Sequence, residues 1–173
     1  MLDVLTAAFQ PWADYYAASS WLPTAVIAVH VVALFIGGGI AVGADRRVVL
    51  ATPGSSDAYL AVATDLHATH RVVIMALALT VMSGVALCTA DLGTFWSSRV
   101  FWLKMGAIAL LVLNGALMQR VERQVLTNAR NTIEMSTAGP EVTGPWLLLR
   151  RHAYVSLAGW TVIVLLGVLV ANI

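Results

Sequence analysis

Apolar residues along this chain gather in four long blocks instead of alternating or recurring on one helical face. Trp21 to Ala44 covers 24 residues without a formal charge, and Val72 to Ala90 covers 19 without one. Val100 to Met118 covers 19 with Lys104 alone, and His152 to Ile173 covers 22 with none, counting histidine as neutral. Blocks apolar on every side are the pattern of helices surrounded by hydrocarbon, and about 20 such residues cross a bilayer core. A spanning segment must satisfy its own backbone groups, so each block predicts a helix. The expected architecture is all-α: an integral-membrane, up-down four-helix bundle in a single domain, 1–173, with spans at 21–44, 67–90, 99–120 and 150–172.

Outside the blocks the chain is short of other structure. Residues 4–20 predict an interfacial helix with Leu5, Phe9, Trp12, Tyr15 and Tyr16 toward lipid. The start, Met-Leu-Asp, lacks the basic leader and cleavage site of a removable signal. Pro23 suits the first turn of the first span. Arg120 to Glu134 is expected to extend the third helix, and Gly139-Pro140 and Gly144-Pro145 read as turns.

Composition agrees: 60% of the residues are hydrophobic and 11% charged, with a net charge of +1 that offers no field for nucleic acid. One cysteine, Cys88, excludes an internal disulfide or a multi-cysteine metal site. Charge placement says more. Arg46, Arg47, Arg71, Arg120, Arg123, Arg130, Arg150 and Arg151 lie on one side, against Arg99 and Lys104 on the other. That bias places both long loops in the cytoplasm and both termini outside. Trp12, Tyr15, Tyr16, Trp21, Phe95, Trp96, Phe101 and Trp102 fall on the outer side, as an interfacial belt does.

Candidate chemistry rests on four histidines. His70 and His152 each lie at the inner end of a span, beside Arg71 and beside Arg150-Arg151. The second and fourth spans run in the same direction and are diagonal in an up-down bundle. Two imidazoles at one depth on diagonal helices could hold a haem b edge-on, with Arg71, Arg150 and Arg151 pairing with its propionates. The plain alternative is that these arginines only anchor the helix ends. His67, one turn before His70, is a rival ligand, a support for it or a partner of Asp65. With His70 and His152 it could also form a copper or zinc site. His30, in the outer half of the first span, could pair with Met105 as a His/Met haem or copper site, line a quinone pocket, or hydrogen-bond to Thr24, Thr80 or Ser83. Asn114 reads as an interhelical hydrogen-bonding residue, and Trp160 as a core or cofactor-stacking ring. No nucleotide-binding, zincin or serine-hydrolase motif is present.

Two resemblances follow from these stretches. Thr69 to Leu87, THRVVIMALALTVMSGVAL, resembles the first membrane helix of b-type cytochromes of the cytochrome b561 and hydrogenase cytochrome b kind, with Gly84 fourteen residues after His70. That resemblance implies bis-histidine haem b and electron exchange with quinone or a partner redox subunit. Trp21–Arg47 and Phe101–Met118 resemble four-span bacterial membrane proteins of the copper-resistance D type, through His30, Asp45, Arg47, Lys104 and Asn114. This implies the same fold, a bacterial inner membrane and a link to copper. The chain departs from it at Met118-Gln119, where a histidine is expected. The combined expectation is a membrane b-type cytochrome, with a copper-binding protein or a non-redox subunit of a larger membrane complex as alternatives.

Overall fold

The computed structural model describes residues 2–51, 56–134 and 143–170. In chain order the helices are α1 (Leu2–Ala18), α2 (Leu22–Leu50), α3 (Ser56–Ala90), α4 (Leu92–Ser97), α5 (Arg99–Glu134) and α6 (Thr143–Val170). Four of them, α2, α3, α5 and α6, are long and apolar enough to cross a membrane. Their large side chains face outward without partners, Phe35 and Leu110 among them, which only a hydrocarbon solvent makes favourable. The chain is a multi-pass, all-α membrane bundle.

Local sequence sets the ends. Pro23 lies in the first turn of α2, where a missing N–H costs nothing. Asp91 caps α4, its carboxylate accepting from the Thr94 N–H at 3.3 Å. Gly144-Pro145, expected as a turn, instead forms the first turn of α6; Gly139-Pro140 lies outside the described residues. α3 begins well before the expected span, and α5 continues to Glu134 as expected.

Packing follows small residues. α2 packs most extensively on α3 and α5 on α6; α3 also packs on α5, and α2 on α6. α3 and α6 are therefore diagonal. A Cβ on Gly37 would stand 2.8 Å from the Ala76 Cβ, one on Gly38 would meet the Trp160 ring at 3.2 Å, and one on Gly159 would meet Leu111 at 3.0 Å. Such close approaches are how helices associate where no hydrophobic effect separates protein from solvent. α1 lies against α3, with the Trp12 indole N–H donating to the Ala86 carbonyl at 3.0 Å, so Trp12 faces protein and not lipid as expected.

The best-packed region is the basic end of the bundle. Val48, Ala63, Leu66, Val121, Val125, Ala129, Trp146 and Leu149 form one buried cluster there, with Tyr59 edge-on to Trp146. Leu149 has no exposed surface, so Leu149→Ala is expected to cost about 2–5 kcal/mol, checked by chemical unfolding in detergent. The opposite end carries the aromatic belt, where Trp96 meets Trp102 edge-on and Phe95 lies tilted against Phe101.

Candidate functional site

The basic end holds a group of ionisable side chains that the apolar runs alone did not announce. His67 and His70 lie three residues apart on α3, and so point from one face toward α5. Glu122 of α5 meets them. The His67 Nδ1–H donates to Glu122 Oε1 at 2.8 Å, and His70 Nδ1 lies 3.0 Å from Glu122 Oε2. The second contact is within ion-pair distance but lacks hydrogen-bond alignment, leaving Oε2 without a hydrogen bond. Glu122 is 1% exposed, whereas the His67 side chain is 63% exposed and that of His70 is 20% exposed. One ligand atom from each of the three lies within 4.8 Å of the others.

This geometry can hold a metal ion. Bonds of about 2.0–2.1 Å in a tetrahedral site separate ligand atoms by roughly 3.3 Å, and the three ligand atoms here lie within 4.8 Å of one another. Two imidazoles and one carboxylate suit zinc, copper(II) or iron(II), and three protein ligands leave a position open. A cavity of about 340 Å³ adjoins the group, lined by His67, His70, Arg71, Ile74, Met75, Gln119, Glu122 and Arg123.

A second buried carboxylate lies close by. Asp45 of α2 is 3% exposed; Ser156 of α6 hydrogen-bonds to it, and its Oδ2 has no hydrogen-bond partner. Asp45 and Ser156 are both buried in the bundle.

The remaining candidates separate. His152 turns to α5: its Nδ1–H donates to Asn114 Oδ1 at 2.8 Å, and the Asn114 amide donates to the His152 carbonyl at 3.1 Å. Asn114 is thus the interhelical hydrogen-bonding residue the sequence suggested. His152 does not line the cavity beside His70, so the structure does not bring the two rings onto one cavity. Arg71 lines that cavity, and Arg150 and Arg151 do not. The Arg150 Nε is buried without a hydrogen bond, and Arg151 is exposed. Asp65 pairs with Arg47 at 3.4 Å on the surface, leaving His67 to Glu122. His30, near the other end, donates from Nδ1 to Ser83 Oγ at 3.0 Å, and the Ser83 hydroxyl donates to the Leu79 carbonyl at 2.7 Å. Its ring lies against Gly84, so α3 holds it through Ser83 and Gly84. Trp160 is buried against Gly38, as a core ring.

Comparison of the chain with protein-family models, with curated proteins and with solved structures finds no match. The likenesses to b-type cytochromes and to the copper-resistance D type therefore rest on their motifs alone.

Proposed function

We propose that this chain is a membrane metalloprotein that binds one divalent transition-metal ion through His67, His70 and Glu122 at its basic end. One observation carries the reading: two imidazoles converge on a carboxylate that is almost wholly buried in a membrane bundle. A charge in that setting is costly unless a cation balances it, and such residues in membrane helices usually have work to do. The basic end is taken as the cytoplasmic side from the arginine bias, so the ion would arrive through exposed His67. The cavity adjoins all three side chains, so a small molecule could reach an ion held there.

A second reading keeps the expectation of haem b and of electron transfer to quinone or a partner subunit. It is favoured by Arg71 and Arg123, which line the cavity beside His70 where haem propionates could pair with them. His70 would then be the residue that holds the iron.

Elemental analysis and a visible spectrum of the purified protein decide between these readings. The metal reading expects one zinc, copper or iron per chain, no Soret band, and loss of the ion in both His67→Ala and His70→Ala. A Soret band lost only in His70→Ala would replace it with the haem reading. Retention of metal in His67→Ala and His70→Ala together would remove the site.

A further inference from the structure

The cavity beside His67, His70 and Glu122 has two unlike walls. Arg71 of α3 and Arg123 of α5 stand on it, with Gln119 one turn before Arg123. Ile74 and Met75 form the rest, and they are 53% and 61% exposed on a surface that hydrocarbon covers in a bilayer. Both arginines are exposed, and neither belongs to an ion pair among the described residues. The one anion on the cavity wall, Glu122, is engaged by the two histidines. Two guanidiniums without an ion-pair partner among the described residues thus share the cavity wall with two apolar side chains of α3.

We propose that this cavity binds a single-chain anionic amphiphile, its phosphate or carboxylate head between Arg71 and Arg123 and its tail along Ile74 and Met75. Planar guanidinium forks suit a head of this kind, through paired charge-assisted hydrogen bonds. The volume of about 340 Å³ falls within the range of small-molecule sites. The head would lie beside the open metal position, as substrate or co-ligand of the ion. That role rests on the metal reading; the binding itself does not.

The test is calorimetric titration of the purified full chain in a neutral maltoside detergent. The probes are dodecyl phosphate, dodecylphosphocholine and inorganic phosphate. One dodecyl phosphate per chain is expected, with the zwitterion and the free ion roughly 100-fold weaker. Arg71→Gln with Arg123→Gln should weaken dodecyl phosphate roughly tenfold or more, the loss of charge-assisted hydrogen bonds. Arg46→Gln with Arg151→Gln removes equal charge from the same end, at exposed residues off the cavity, and should change affinity less than twofold. Equal loss in both double variants overturns the proposal in favour of diffuse surface charge. Inorganic phosphate binding as tightly as dodecyl phosphate overturns it in favour of a free-anion site, and haem in the purified protein overturns it by filling the cavity. Amphiphile binding that survives His67→Ala and His70→Ala while the metal is lost supports it. Metal binding that survives Arg71→Gln with Arg123→Gln leaves the metal reading standing whichever way the amphiphile result falls.

Discussion

Glu122→Ala is expected to abolish stoichiometric metal binding and to destabilise the bundle by about 3 kcal/mol, the cost of removing the acceptor of the His67 hydrogen bond and the charge beside His70 and of leaving a hole. Of the three side chains only the carboxylate is fully enclosed, and it alone touches both of the others. Glu122→Gln separates the two effects. The amide keeps the volume and one acceptor oxygen, so stability should fall by only about 1 kcal/mol. It removes the negative charge and one metal-binding oxygen, so affinity should still drop at least 100-fold. Metal content by elemental analysis and unfolding in detergent, measured on the same preparations, check both. Full metal occupancy in Glu122→Gln would rule out a carboxylate ligand.

Gly37→Leu is expected to be the most damaging substitution away from the site. An added Cβ alone would stand 2.8 Å from the Ala76 Cβ, which is fixed to its backbone and cannot rotate aside. α2 and α3 form one of the two most extensive helix pairs, so the whole contact must open. The expected cost is about 3 kcal/mol or more, above the usual overpacking range because no side chain can yield. Gly39→Leu, two residues on, meets nothing within 4 Å and should fold normally. Size-exclusion profiles and thermal unfolding of the two variants, side by side, make the comparison. Equal behaviour would mean that the α2–α3 approach is looser than described.

The four spans were legible because nothing else in a chain of this length makes uncharged runs of that extent. The end of α3 at Ser56 was not, since Asp57 and Asp65 break the apolar run while the backbone continues as helix. The His67/His70 pair was visible from its spacing. Glu122 was missed because it follows Arg120 and precedes Arg123, in a stretch that reads as a solvated extension. Its signal was the row Met118, Val121, Val125 and Ala129, which marks a buried face on both sides of it. The expected His70–His152 pairing relied on depth and direction along the helices, and those say nothing about which neighbour each ring turns toward. Asn114 and Glu122, both on α5, draw the two rings to separate partners.

The dense cluster at the basic end has a mechanical consequence. Val48, Leu66, Val125 and Leu149 lock the four helices at the level just beyond the histidines, whereas the glycine-lined opposite half has fewer enclosed side chains. The aromatic end is therefore expected to open more readily, like scissor blades about a riveted joint. His67, His70 and Glu122, next to the rivet, are expected to keep their spacing while the far half adjusts to bilayers of different thickness. Backbone amides should accordingly exchange with deuterium slowest around Val125 and fastest near Phe95.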